Sequence, residues 1–183
     1  MKLSKLFIAI AFLAFAFSSN TVQAQIMTKG DRIIKAGVGL GAWTTAYTTS
    51  ETPLFVAMYE VGIKNDLGPG NLSVGGMVSY KSGQYEVFGS GWKYNYSAVV
   101  GRASYHPHFV KSEKWDAYAG LSLGMYFVGT NAHSGEFVAD YNESAVAMAF
   151  HLGARYTINE QFSAWAELGY GLGALSVGAA YKF

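Results

Sequence analysis

The sequence has 183 residues, of which 51% are hydrophobic, 16% aromatic and only 14% charged, and its formal net charge is +1. A charge this close to zero argues against nucleic acid as a partner, because nucleic-acid binding calls for a clear basic excess. Cysteine is absent, which excludes stabilisation by disulfides and a lipid anchor on cysteine. The 22 glycines, 13 tyrosines and only 3 prolines favour strands over helices.

The first 24 residues have the three parts of a secretory signal peptide. A basic start with Lys2 and Lys5 is followed by an apolar run over 6–17 and by a small-residue cleavage site that ends at Ala24. The apolar run is too short for a spanning helix, which needs about 20 residues. We therefore predict a signal peptide over 1–24, cleaved after Ala24, and an N-terminal anchor helix is the less favoured alternative.

The remaining chain, 25–183, is predicted to be one domain. Loss of Lys2 and Lys5 leaves 11 basic and 12 acidic residues, so no basic excess remains and a nucleic-acid partner is not expected. No stretch of 18 apolar residues follows the signal peptide, and the sequence therefore predicts no transmembrane helix.

From Ile34 onward, apolar residues alternate with small or polar ones, as in strands with one apolar face. A tilted strand of roughly 9–11 residues crosses a bilayer. The intervening stretches 82–92 and 129–144 are polar and are predicted to be long loops, whereas the other ends of the strands are joined by shorter turns. Eight segments of about ten residues follow this pattern: 34–43, 55–64, 72–81, 93–106, 115–127, 146–156, 162–172 and 175–183.

The charged residues inside these segments all fall on the less apolar parity. On a lipid-facing surface at mid-membrane, a Lys or Arg costs about 2–4 kcal/mol. The pattern therefore predicts that the apolar parity faces lipid and the other parity faces an interior. The nine charged residues are Lys35, Glu60, Lys64, Lys81, Arg102, Asp116, Arg155, Glu167 and Lys182.

Only a closed sheet satisfies every backbone group in hydrocarbon, so the sequence predicts an all-β, eight-stranded antiparallel up-and-down transmembrane barrel. Such an interior is just wide enough to be filled by side chains, and buried charges must pair. We expect a structural network of paired charges, with a narrow gated pore as the alternative. At mid-depth the network is predicted to hold Glu60, Arg102, His151 and Glu167, and nearer the periplasmic end Lys35, Lys64, Asp116, Arg155 and Lys182.

The last eight residues contain the pattern Ser176-x-Gly178-x-x-Tyr181-x-Phe183. It resembles the C-terminal signature of bacterial outer-membrane barrels, and the whole chain after the signal peptide resembles the small barrels of the OmpX type and the OmpA transmembrane domain. The resemblance implies an outer-membrane location, contact with membrane lipid and lipopolysaccharide, and recognition by the barrel assembly machinery. Aromatic residues are expected to form a girdle at the periplasmic rim: Tyr105, Trp115, Tyr156, Phe162, Tyr181 and Phe183.

Some barrels of this size modify lipid A, and the candidates for such chemistry are His133 and Ser134 with Glu136 or Asp140. They do not match the motifs of the lipid A deacylase or palmitoyltransferase families. We expect no catalytic residues, cofactor or metal, and His106 and His108 are assigned to a solvated turn. The resemblance implies a structural or surface-interaction role through long loops. The alternatives are a narrow pore, a lipid A-modifying enzyme and a soluble barrel that binds a lipid-like ligand.

Overall fold

The computed structural model describes residues 27–41, 50–87, 90–109, 112, 114–133 and 141–183, so the predicted signal peptide and its cleavage site lie outside the described residues. Alternating sequence and β-branched or aromatic side chains give nine strands: β1 (Arg32–Leu40), β2 (Ser50–Glu51), β3 (Leu54–Lys64), β4 (Gly70–Val87), β5 (Ser90–Pro107), β6 (Trp115–His133), β7 (Tyr141–Thr157), β8 (Phe162–Tyr170) and β9 (Leu175–Lys182).

All strands except β2 form a closed wall in which each strand pairs antiparallel with its neighbours in the chain. β1 and β9 close the barrel from Ile33↔Lys182 to Leu40↔Leu175. β4 and β5 pair along their whole length. The predicted eight-stranded antiparallel up-and-down barrel is therefore confirmed. No helix in the described ranges is long and apolar enough to cross a membrane.

The two faces of the wall differ as the alternation predicts. Leu121 and Met148 point outward and are 66% and 72% exposed, whereas their inward-facing neighbours Ser122 and Ala147 are buried. Glycine on the inner face makes room for large side chains: a Cβ on Gly37 would lie 2.7 Å from the ring of Trp165. The sheet is therefore apolar on its outside, the reverse of a soluble barrel that holds an apolar ligand.

Strand length is uneven around the wall, because β4 to β7 have 17 to 19 residues and the other wall strands have 8 to 11. The extra length lies at one end, which we call the upper end; the lower end holds the turns 65–69, 108–114 and 158–161. We call residues 80–87, 90–97, 127–133 and 141–144 the upper sheet.

The predictions of long loops over 82–92 and 129–144 are wrong. Tyr85 pairs with Trp92 and Val87 with Ser90, so β4 and β5 are joined by a tight connection. Strand also covers 129–133 and 141–144. Aromatic and β-branched residues favour strand here even though polar residues occupy both faces, because a strand in water needs no apolar side. The short β2, which pairs with Gly83 and Gln84, was also not predicted.

The interior of the barrel has two layers. Toward the upper end, apolar side chains fill the lumen: Leu54, Val56, Met58, Met77, Ala98, Val100, Ala147 and Leu172. Below them, charged and hydroxyl side chains are packed together. Two interior cavities of about 30 Å³ each border the apolar layer, and each has room for about one water molecule.

Residues 27–31 close the lower end of the lumen. Met27 is completely buried, and its carbonyl accepts a hydrogen bond from Asn71 Nδ2 at 2.8 Å. The N–H of Gly30 donates to the Gly62 carbonyl at 2.9 Å. The segment before β1 is thus part of the barrel's structure.

Candidate functional site

The charged layer is organised around three buried carboxylates, and the first is Glu60 on β3. Lys35 Nζ lies 2.7 Å from Glu60 Oε2, and Ser73 Oγ donates to Glu60 Oε1 at 2.5 Å. The side chains of Lys35 and Glu60 are 1% and 7% exposed, so the ion pair is almost fully removed from water. Lys35, which the sequence placed nearer the periplasmic end, therefore lies within the mid-depth network.

The second carboxylate, Glu167 on β8, joins three strands. Its Oε1 accepts hydrogen bonds from Arg102 Nη2 and from Tyr118 OH, both at 2.9 Å. Lys35 Nζ lies 3.7 Å from the same oxygen and 4.2 Å from the centre of the Tyr118 ring. Lys35 thus connects Glu60 to Glu167, and the two carboxylates belong to one network.

The third carboxylate, Asp116 on β6, accepts from Arg155 Nη2 at 2.7 Å and lies 3.0 Å from His106 Nδ1. His106 Nε2 in turn lies 2.9 Å from Ser73 Oγ and 3.4 Å from Glu60 Oε1. The assignment of His106 to a solvated turn is therefore wrong, since it is the fully buried link between Asp116 and Glu60. His108 does lie in the turn, where its Nε2 is 2.9 Å from Asn71 Oδ1.

The network balances its charge. Three carboxylates face three side chains that are cationic at neutral pH, namely Lys35, Arg102 and Arg155. Taking a charge out of water costs several kcal/mol, and a partner with good geometry is needed to offset that cost. Hydroxyl donors on Ser73 and Tyr118 occupy further carboxylate lone pairs. The arrangement meets the requirements of a stable interior.

Ser73, His106 and Asp116 have the relative distances of a Ser–His–Asp triad. Two features argue against its use in catalysis. Ser73 also donates to Glu60, and the three side chains are 0%, 1% and 2% exposed, so a substrate cannot reach the hydroxyl. General base catalysis requires the reacting group to come within hydrogen-bond distance, which this closed interior prevents.

His151 is the exception to the full pairing of polar atoms. Its Nε2 lies 3.0 Å from Ser104 Oγ, but its Nδ1 has no hydrogen-bond partner and is the one such buried side-chain atom in the described part of the chain. The ring borders one of the 30 Å³ cavities together with Arg102 and Ser122. Arg102 Nη1 contacts only a weak acceptor here, Met58 Sδ at 2.8 Å.

The predicted network is thus largely assembled, since Glu60, Arg102, Asp116, Arg155 and Glu167 share direct contacts and His151 lies beside them. Lys64 does not join it. A register shift between Gly62 and Lys64 places Lys64 opposite Leu72, a residue of the outward parity, and Lys64 is exposed. The prediction for Lys64 is corrected because a β-bulge reverses the alternation on which it rested.

Sequence reasoning missed three members, Ser73, His106 and Tyr118. Each lies on the inward parity of its strand, which was their only signal. Their roles depend on contacts across the lumen between residues 13 to 49 positions apart. Alternation reports the face of a strand and not the partner on the opposite wall.

The aromatic girdle takes the expected form at the lower end. The rings of Trp115 and Tyr156 are 5.0 Å apart, and those of Phe162 and Tyr181 are 5.2 Å apart. Phe183 stacks on Tyr181 at 6.2 Å and on Tyr59, which was not predicted, at 6.3 Å.

The signature residues Ser176 and Gly178 face the interior. Ser176 is buried beside the upper cavity. Gly178 pairs with Trp165 on β8 and with Gly37 on β1, where the wall closes.

Below the wall, Asp31 is bound by Lys182 Nζ at 2.9 Å and by the backbone N–H of Thr28 at 2.8 Å. Burial opposes ionisation of this carboxyl, but the hydrogen bonds from Thr28 and Lys182 hold the pKa of Asp31 below its ordinary value.

Among the lipid A-enzyme candidates, Ser134, Glu136 and Asp140 lie outside the described residues, as does the side chain of His133. Within the described ranges, no group of three or more His, Cys, Asp or Glu side chains is arranged to hold a metal ion.

Comparison with known proteins supports the fold. No protein-family model and no curated protein matches the chain. The attachment invasion locus protein Ail of Yersinia pestis matches with a TM-score of 0.55 and 17% identity, over 85% of this chain and 100% of that one. Ail in complex with the heparin analogue sucrose octasulfate matches with a TM-score of 0.53 and the same identity and coverage.

The N-terminal β-barrel domain of Pseudomonas aeruginosa OprF matches with a TM-score of 0.46 and 16% identity, over 85% of this chain and 98% of that one. With the closed eight-stranded wall and the likeness to Ail, the fold is that of the small outer-membrane barrels of the OmpX and OmpA type.

Proposed function

We propose that the protein is an integral barrel of the bacterial outer membrane that binds other proteins at the cell surface through its upper sheet, without catalysis. The observation that supports this proposal is the uneven strand length, which raises four adjacent strands above the rest of the wall. A likeness to Ail, a protein named for attachment and invasion, agrees with a surface role.

The outward face marks where the membrane would end. Val99, Leu123 and Met148 are apolar and exposed, whereas Asn95 and Ser144, higher on the same face, are polar. Tyr80 OH donates to Asn95 Oδ1 at 2.9 Å near this boundary. The upper sheet therefore lies in water on both faces, where a partner can reach it.

The two sides of the upper sheet differ. On the β4 side, β2 pairs with Gly83 and Gln84. On the other side, β7 pairs with β8 only from Phe150 to Thr157, and the chain at Gly171 still contacts the Met148 carbonyl. Residues 141–147 of β7 have no strand on that side within the described part of the chain. A strand edge with free backbone groups can add an extended segment of another protein.

A sulfated glycan is not the ligand that the charges favour. The described cations of the upper end are Lys81, which lies 2.7 Å from Glu51, and the exposed Lys93. A polyanion needs a basic cluster, and a protein strand does not. The packed interior argues against the pore, the apolar outer face argues against the soluble barrel, and the closed charged layer argues against an enzyme.

The test is adhesion of bacteria that display the protein to immobilised serum and extracellular-matrix proteins. Successive N–H groups of a strand point to opposite sides, so Ser144→Pro and Ala145→Pro form a matched pair. One removes a donor at the open edge, and the other breaks the ladder with β6. We expect the edge variant to fold and lose adhesion. If both variants fold and adhere like the wild type, the edge is not the interface.

We also propose that the barrel assembly machinery recognises Ser176, Gly178, Tyr181 and Phe183, and that membrane lipid and lipopolysaccharide surround the outward face. The terminal rings form part of the girdle, so they can serve both sorting and packing. Export by the predicted signal peptide, cleaved after Ala24, belongs to the same proposal.

A further inference from the structure

The outward face of the wall carries few charges, and all of them are positive. Among strand residues with described side chains, the charged ones that face outward are Arg32, Lys64 and Lys93. Arg32 and Lys64 lie at the lower end, and Lys93 lies in the upper sheet. Every carboxylate of the described wall strands faces inward or stands at the upper end.

Arg32 begins β1 within the girdle. The Phe183 N–H donates to the Arg32 carbonyl at 3.2 Å, and Arg32 pairs with Val61 on β3. The stacked rings of Tyr59 and Phe183 occupy the same outward face. The Arg32 side chain is exposed and makes no ion pair with any described residue. A guanidinium at the level of a membrane girdle faces the lipid headgroups.

Lys64 reaches the same region because of the bulge. Without it, the alternation would direct Lys64 into the lumen; with it, Lys64 lies opposite Leu72 and outside. Lys64 is three residues beyond Val61, the partner of Arg32, or about 10 Å along the strand. Both side chains are long enough to approach one phosphate.

A third cation stands beside them. Lys29 is exposed, and its backbone N–H donates to Asn65 Oδ1, next to Lys64, at 2.7 Å. The carboxylates nearby do not neutralise this group: Asp31 is bound by Lys182 and Thr28, and Asp66 is exposed in the turn after β3.

We propose that Arg32 and Lys64, assisted by Lys29, bind the phosphate of an anionic phospholipid in the periplasmic leaflet. Unpaired cations of this kind match anionic headgroups, and the girdle places them at headgroup depth. The proposal depends on insertion of the barrel in the membrane and not on surface binding, so adhesion can fail while this site remains.

The experiment measures binding of phosphatidylglycerol to the folded barrel in neutral detergent by native mass spectrometry, with phosphatidylcholine as the neutral lipid. Each basic residue near an anionic surface strengthens binding about fivefold. We expect Arg32→Gln/Lys64→Gln to bind phosphatidylglycerol about 25-fold more weakly and phosphatidylcholine unchanged.

The matched control is Lys93→Gln/Lys114→Gln, which removes two exposed cations elsewhere and should bind as the wild type does. Folding of each variant is verified by its shift on an unboiled gel. Equal phosphatidylglycerol affinity of the two double variants would overturn the site. Competition by inorganic phosphate as effective as phosphatidylglycerol itself would assign the cations to free phosphate and overturn the lipid assignment.

Discussion

Arg102 Nη2 and Glu167 Oε1 form a 2.9 Å ion pair across the barrel interior, between β5 and β8, with side chains that are 6% and 7% exposed. These strands are not neighbours in the wall. The pair therefore holds together parts of the barrel that share no backbone hydrogen bonds, and it joins the rest of the charged layer through Lys35 and Tyr118.

Loss of Glu167 should destabilise the barrel strongly. Glu167→Ala leaves Arg102 buried without its carboxylate and should lower the free energy of unfolding by about 3–5 kcal/mol. Glu167→Gln retains an oxygen acceptor for Arg102 and Tyr118 and should cost less. Urea unfolding in lipid vesicles measures both. Equal stability of Glu167→Ala and wild type would show that the pair contributes nothing.

The folded protein should show no resolvable conductance in planar bilayers. The charged layer and the apolar layer each fill the lumen, and the cavities have room for about one water molecule. Arg102→Ala/Glu167→Ala should remain closed, because Leu54 and Leu172 lie above the altered layer. A steady single-channel current from wild-type protein would contradict this packing and restore the pore alternative.

Substitution of Gly153 should prevent folding, because a Cβ at this position would overlap the buried ring of Tyr118. Overpacking of this kind costs about 1–3 kcal/mol or more. Gly153→Val should greatly reduce the heat-modifiable species on gels of outer-membrane fractions. Gly76→Val is the control, since the nearest atom to a Cβ there is the Val100 carbonyl oxygen at 3.6 Å. Similar yields for the two variants would refute the packing argument.

The contribution of Asp31 to stability should depend on pH. Its pKa is lowered in the folded protein, so its stabilisation is complete above the unfolded pKa and is lost as pH falls through the folded pKa. Asp31→Asn should therefore cost about 1 kcal/mol near pH 7, and the difference from wild type should disappear at about pH 2. Urea titrations at several pH values measure this difference. A constant difference across that range would exclude the ion pair with Lys182 as its cause.

Deletion of Phe183 should lower assembly in the outer membrane. Phe183 also stacks on Tyr59, so a packing loss must be separated from a sorting loss. Tyr59→Leu removes the same ring contact and retains the terminal aromatic residue. We expect both variants to refold similarly in detergent, but only the deletion to assemble poorly in cells. Normal assembly of the deletion would count against the sorting role.

The sequence alone determined the barrel and the face of nearly every residue in it. Segment 115–127 shows why: an apolar outer face and a small, polar inner face leave one arrangement that satisfies both lipid and backbone. The ends of the long strands were less predictable, because 82–92 and 129–144 extend into water, where no apolar face is required and alternation loses its meaning.

Only the tertiary structure decided which charges meet. Lys35 and Glu60 are assigned to the interior by parity, but their 2.7 Å contact and the extension to Glu167 depend on strand stagger and barrel closure. The bulge that directs Lys64 outward has no counterpart in the alternation, since one extra residue reverses the faces beyond it. Periodicity fixes the face of a side chain locally, whereas its partner across the lumen is fixed by how all eight strands close.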